Sequence, residues 1–204
     1  CTREEKIMKK IVSIISLIFL SVSISGCFKK DNMDNINIYT SVYPIEYITN
    51  KLYGNNSTIY SIYPNGINIS NYTLTDKQIN DYSKSNLFIY NGLSKENQYA
   101  VQMLNKNKEI KIIDAAFGME YTNDIEEIWL NPSNFLMLAQ NVKNGLKEYV
   151  SNSYIKKTIN NNYEDLKLAI SEFDAELKLT VENTNNKTIV VDNDLFKYLE
   201  NFRK

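Results

Sequence analysis

An α/β fold on a mostly parallel sheet, continued by a long helical region and the first elements of a further βα unit, follows from three features of the sequence. Short apolar or alternating segments at 36–41, 57–63, 87–90 and 110–113 are separated by segments of helical spacing. From Pro132 the spacing stays helical over 132–182, and KTIVV at 187–191 then returns to strand character. Strands that alternate with helices predict right-handed crossovers and a parallel sheet.

Each element has its own local reason. Residues 36–41 read as a strand, and Pro44 suits the first turn of a helix through PIEYITNKLYG, with Gly54 as its stop. STIYSIY at 57–63 alternates like a strand. Thr75-Asp76-Lys77-Gln78 has capping-box spacing for a helix to about Ser83. LFIY at 87–90 is a short buried strand, a helix follows over 94–105, and 110–113 gives a fourth strand. Beyond Pro132, Phe135, Ala139, Val142 and Leu146 share one helical face. A second stripe of Ile159, Tyr163, Leu166, Ile170, Phe173 and Leu177 reads as a long helix packed on the rest of the protein. Trp129 is expected in the core. Leu195 starts a last helix, and Leu195, Phe196 and Leu199 are expected to leave apolar surface exposed.

Composition narrows the function. The 204 residues carry a net charge of −1 and 43% hydrophobic residues, so the chain is globular and has no basic footprint for nucleic acid. It contains no histidine and no phosphate-cradling G-x-x-x-x-G-K-S/T loop, which argues against an enzyme. The adjacent carboxylates Glu126 and Glu127 do not by themselves set a catalytic geometry.

The first residues read as targeting sequence. Lys9 and Lys10 precede an apolar run over 11–24, then Ser25, Gly26 and Cys27, the order of a secretory signal. The run is short of the ~20 residues of a membrane span. ISGC resembles a bacterial lipobox, which makes Cys27 the lipidated residue and the membrane anchor. The expected organisation is a translated leader at 1–7, a signal peptide at 8–26 and a lipidated cysteine with a polar tether at 27–35. An N-terminal lobe at 36–131, a linking helical region at 132–182 and the start of a second lobe at 183–204 follow.

In open parallel sheets ligands sit beyond the carboxyl ends of the strands. That rule selects residues 65–73, Asn91-Gly92, Asp114 onward and Asp192-Asn193-Asp194. Tyrosines 39, 43, 60, 63, 72 and 90 are candidates to line a cleft or to pack as aromatic core.

The ordered blocks YTSVYPIEYITNKLYG, YPNG, NYTLTDKQINDYSKSNLFIYNG, KIIDAAFGME, IWLNP and KTIVVDNDLFKYL resemble the zinc- and manganese-binding substrate-binding lipoproteins of bacterial ABC transporters, the cluster A-I solute-binding proteins. The resemblance implies two lobes joined by a backbone helix, one divalent metal ion in the cleft, and permease and ATPase components as partners. Matched to the family motifs, the three visible ligand positions fall on Ser70, Glu127 and Asn193, with Asp192 and Asp194 as possible helpers and a fourth position beyond Lys204. Of these, Glu127 is the good ionic ligand, and an oxygen-only set favours manganese, magnesium or calcium over zinc. The competing structural readings are turn chemistry for Ser70, a solvated acidic pair for Glu127 and helix capping for 192–194. A surface lipoprotein that kept the scaffold but lost the metal, serving adhesion or another small ligand, is the alternative function.

Overall fold

The computed structural model describes residues 33–92, 95–120 and 127–185. The signal segment, Cys27, residues 192–194 and the apolar side chains at 195–199 lie outside them. Strands β1 (Ile36–Thr40), β2 (Ser57–Ser61), β3 (Leu87–Tyr90) and β4 (Lys111–Asp114) form one sheet in the order β2-β1-β3-β4, and every pairing is parallel. Helices α1 (Tyr43–Tyr53), α2 (Asp76–Tyr82) and α3 (Lys95–Lys106) are the crossovers, followed by α4 (Pro132–Tyr149) and α5 (Ser153–Glu182). Alternation along the strands divides their side chains between two layers. Ile113 meets Gly145 of α4 on one side, where α1, α4 and α5 pack together, and Tyr39 meets Tyr82 of α2 on the other, where α2 and α3 pack.

The inner strand β3 is buried at all four positions, as a strand covered on both faces must be. β2, at the sheet edge, has no fully buried residue, and its pairing ends at Ser61 opposite Thr40. Ile62 and Tyr63, expected in the strand, instead turn inward as buried loop residues. β4 begins one residue later than the sequence pattern predicts. Met33, expected in the tether, is fully buried, and its carbonyl accepts a hydrogen bond from the buried Tyr53 hydroxyl.

The helix starts follow local chemistry. Pro44 sits in the first turn of α1. Gly54 is right-handed (φ −55°) and opens a 3-10 turn over Gly54–Asn56, so it does not stop the helix through a left-handed conformation. Thr75 Oγ1 accepts from the Gln78 N–H at 3.3 Å while Gln78 Oε1 accepts from the Thr75 N–H at 3.0 Å, completing the expected box. Thr75→Ala is therefore expected to destabilise the protein by about 1 kcal/mol, and Thr75→Ser to retain most of that stability, in urea denaturation. Asn131 caps α4 by accepting from Ser133 N–H and Asn134 N–H, and Asn152 caps α5 in the same way.

The long helices only partly match their stripes. Ala139, Val142 and Leu146 of α4 are buried and Phe135 packs on the core edge. On α5, Ile155, Ile159, Tyr163 and Leu166 are buried against α1 and α4. Ile170 is partly covered, and Phe173 is 56% exposed, so the second half of the stripe lacks the expected packing among the described residues. Trp129 is only partly buried, and its neighbour Ile128 is the fully buried residue at the entry to α4.

Candidate functional site

The carboxyl ends of β1 and β3 lie side by side, with their crossovers leaving to opposite faces, which makes this the switch point where such sheets carry ligands. The polar groups here are buried and mutually bonded. Ser41 Oγ and Glu96 Oε2 both accept from the Asn91 N–H at 3.1 Å. The Tyr63 hydroxyl donates to Glu96 Oε1 at 3.3 Å, and Ser61 Oγ donates to the Ser41 carbonyl. Glu96, 4% exposed at the start of α3, thus ties the loop after β2 to the loop after β3. This carboxylate is engaged in positioning backbone. It was not among the residues selected from sequence, since no local pattern sets it apart from Glu46 or Glu109.

A second cluster closes the end of β4. Asp114 Oδ1 accepts from the Ala116 N–H at 2.9 Å, and burial pushes its carboxyl above the usual range. Gly92, at φ 27°, lies so close that an added Cβ would fall 2.1 Å from Asp114 Oδ1. The Tyr90 hydroxyl donates to Asn97 Oδ1, while Asn97 Nδ2 donates to the Gly92 carbonyl. Burial, with the nearby Asp114 and Glu96 carboxylates, raises the Tyr90 phenol to about 12.

The loop from β2 to α2 carries Ser70. Pro64 and Asn65 lead into Gly66, whose φ of 78° is left-handed, as the turn pattern requires. A 3-10 turn follows over Ile69–Asn71, and Asn68 Oδ1 accepts from the Ser70 N–H at 3.0 Å. Ser70 is exposed. The turn is thus closed by the Asn68 side chain on the Ser70 backbone N–H.

The same loop holds a cation, and it is a side chain. Lys95 Nζ donates to the carbonyls of Ile69 at 3.1 Å, Ser70 at 2.8 Å and Tyr72 at 3.1 Å. One α3 turn later, the Tyr99 hydroxyl accepts from the Leu74 N–H at 3.1 Å. Gln78 Nε2 donates to the Tyr72 hydroxyl at 2.7 Å. Sequence reasoning missed Lys95 because its partners stand 23 to 26 residues away.

Glu127 is partly buried immediately before the 3-10 turn Ile128–Leu130, where its carbonyl accepts from the Leu130 N–H. Neither Ser70 nor Glu127 lines the cavities described below. Among the described residues, no three His, Cys, Asp or Glu side chains converge as a metal cluster. Asn193, Asp192 and Asp194 lie outside those residues, as does Cys27.

Of the tyrosines selected from sequence, Tyr39, Tyr60 and Tyr63 border a hollow, Tyr90 packs as core and Tyr43 does neither. Tyr39, Tyr60, Tyr63 and Tyr82 line a hollow of about 420 Å³ with Glu46, and Tyr39 packs on Tyr60 and Tyr82 at ring-centroid distances of 5.4 and 4.4 Å. Tyr90 is buried core stacked on Phe88, and Tyr43 is 71% exposed. A hollow of about 290 Å³ lies between the end of β4 and α4, lined by Asp114, Phe117, Asn141 and Glu148 among others. A third, also about 290 Å³, lies between α1 and α5.

Comparison with known proteins agrees with the parallel sheet and its covering helices. The chain aligns with the manganese ABC transporter substrate-binding lipoprotein PsaA of Streptococcus pneumoniae at 25% identity over 215 residues, covering 94% of this chain and 68% of the relative. It is also 25% identical to a metal ABC transporter substrate-binding lipoprotein of Lactococcus lactis, covering 95% of this chain and 68% of that protein. The metal-dependent lipoprotein YcdH of Bacillus subtilis superposes with a TM-score of 0.72 at 15% identity, over 82% of this chain and 64% of that one. The binding protein FpvC of Pseudomonas aeruginosa, solved with Mn2+, gives 0.68 at 13% identity, over 82% and 64%. The chain thus spans about two thirds of the length of these proteins. The curated relatives are named as binding proteins of transporters, in line with the non-enzymatic reading of the sequence. Residues 38–202 match the model of the ZnuA family, described as zinc-uptake complex component A, periplasmic, and the chain belongs to that family.

Proposed function

We propose that the protein is an extracytoplasmic substrate-binding lipoprotein of a metal-ion ABC transporter, with a diverged metal site that lacks histidine. The observation that carries this reading is the family match over 38–202, supported by relatives named as manganese or metal substrate-binding lipoproteins. The transported ligand is one divalent ion, manganese or zinc. A histidine-free set of oxygens at the three visible positions favours manganese, because zinc gains more from nitrogen and sulfur ligands. Glu127 is the anionic ligand, placed at the entry to α4. Asn193 is a neutral oxygen position, with Asp192 and Asp194 as helpers, while the Ser70 position that the family motif also marks has its carbonyl on the Lys95 ammonium. Lipid on Cys27 anchors the chain to the outer face of the cell membrane, where it delivers its ion to permease and ATPase components. Among the described residues no helix is long and apolar enough to cross a membrane.

The test is thermal unfolding of chelator-stripped protein titrated with manganese, zinc and calcium, beside Glu127→Ala. A ligand that binds only the folded state adds about 2.7 kcal/mol at a hundredfold excess over its dissociation constant. The expected result is stabilisation by manganese that is lost in Glu127→Ala. No shift with any of the three ions would overturn the metal reading and favour the scaffold that binds another ligand or serves adhesion. The occupation of the Ser70 loop by an ammonium is the observation that gives this second reading its weight.

A further inference from the structure

We infer that Lys95 is the resident cation of the loop at 68–72: its ammonium holds the loop in place without metal and removes Ser70 from the set of ligands. The first half stands on the geometry alone. The second rests on the metal-binding reading above.

An ammonium has three donors, and here each finds a carbonyl, of Ile69, Ser70 and Tyr72, at 2.8 to 3.1 Å. Three neutral oxygens at that range suit a monovalent nitrogen cation. Manganese and its relatives take shorter contacts, about 2.0–2.6 Å for the hard divalent ions, and prefer carboxylates. Lys95 also stands in the first turn of α3, the end at which the helix dipole opposes a positive side chain. Its stability there comes from the loop carbonyls, so helix and loop position each other. The backbone of the loop is closed by its own bonds as well, with the Asn71 N–H donating to the Asn68 carbonyl and the Tyr72 N–H to the Ile69 carbonyl. A divalent ion on the Ser70 hydroxyl would share a single residue with a fixed positive charge whose contact to that residue's carbonyl is 2.8 Å. Repulsion at such range is weakly screened by salt, since the distance is below the Debye length of about 8 Å. Ser70 is therefore a backbone anchor for Lys95, and any metal is held by the remaining positions.

The experiment combines amide hydrogen exchange with manganese titration on the full chain, comparing wild type, Lys95→Met, Lys95→Arg and Ser70→Ala. In wild type, the amides of Ser70, Asn71 and Tyr72 should exchange at the same rate with chelator or with manganese. In Lys95→Met they should exchange faster by about tenfold, the equivalent of one lost hydrogen bond. Amides of β1 and β3 should be unchanged, which separates loop release from general unfolding. Ser70→Ala should bind manganese as wild type does, and Lys95→Met should bind it several-fold tighter. Unchanged loop exchange in Lys95→Met, or loop protection in wild type that requires manganese, would overturn the role of Lys95. Weaker manganese binding in Ser70→Ala would overturn the exclusion of Ser70. Failure of every variant to bind manganese would refute the proposed function and with it the second half of the inference, while the exchange rates would still decide the first.

Discussion

Phe88→Ala is expected to lower stability by about 3–5 kcal/mol, the range for deleting a buried phenylalanine from a core that cannot collapse around the gap. Phe88 is fully buried on β3, between Tyr39 of β1 and Ile112 of β4 in the register of the sheet. Its ring stacks on Tyr90 at 5.4 Å and 10°, a contact that has no substitute when the ring is removed. β3 is hydrogen-bonded on both sides, so the backbone cannot move inward without breaking two ladders at once. Total stabilities of about 5–15 kcal/mol leave little after such a loss. In urea denaturation the midpoint should fall at a nearly constant slope, and the melting temperature should fall by on the order of 10 °C. A loss below about 1 kcal/mol would mean that the sheet packs less tightly at its centre than its burial indicates.

Gly92→Ala should have the next largest effect, about 3 kcal/mol, from two separable causes. A φ of 27° places the residue where an L side chain is strained by about 1–2 kcal/mol. The new methyl would also meet Asp114 Oδ1 at 2.1 Å, forcing the carboxylate off the Ala116 N–H, a charge-assisted bond worth roughly 1.5–3 kcal/mol. A double-mutant cycle with Asp114→Ala resolves the two, because only the clash depends on the carboxylate. If Gly92→Ala costs the same in both backgrounds, steric displacement of Asp114 is not the mechanism.

Most of the fold was legible because its signals are short-range. The capping pair Thr75 and Gln78 lies within one turn, and LFIY at 87–90 is apolar at every position, as a doubly covered strand requires. Errors occurred where a residue's state depends on what lies across space. The heptad-like stripe of α5 correctly indicated a helix, but periodicity says nothing about the partner, and Phe173 has little cover while Tyr163 is buried. Trp129 looked like core by residue type and packs against it only partly buried, while Ile128 takes the fully buried position. Topology selected the segments beyond the strand ends, and in the structure residues 65–73 and Asn91-Gly92 follow β2 and β3 while Asp114 ends β4. The use of the Ser70 loop by Lys95 was hidden because one lysine at a helix start has no pattern to distinguish it. Its only sequence cue was a positive charge at the wrong end of the helix dipole.

The uneven cover of α5 has a mechanical consequence. At 1.5 Å per residue its 30 residues make a rod of about 45 Å, gripped over its first half by α1 and α4. From Leu166, its last buried residue, to Glu182 the rod runs on for about 24 Å. For a straight helix of that length, a tilt of about 5° in its first half corresponds to roughly 2 Å at Glu182. A repacking around Ile159 and Tyr163 that tilted the helix would therefore register most strongly near Glu182.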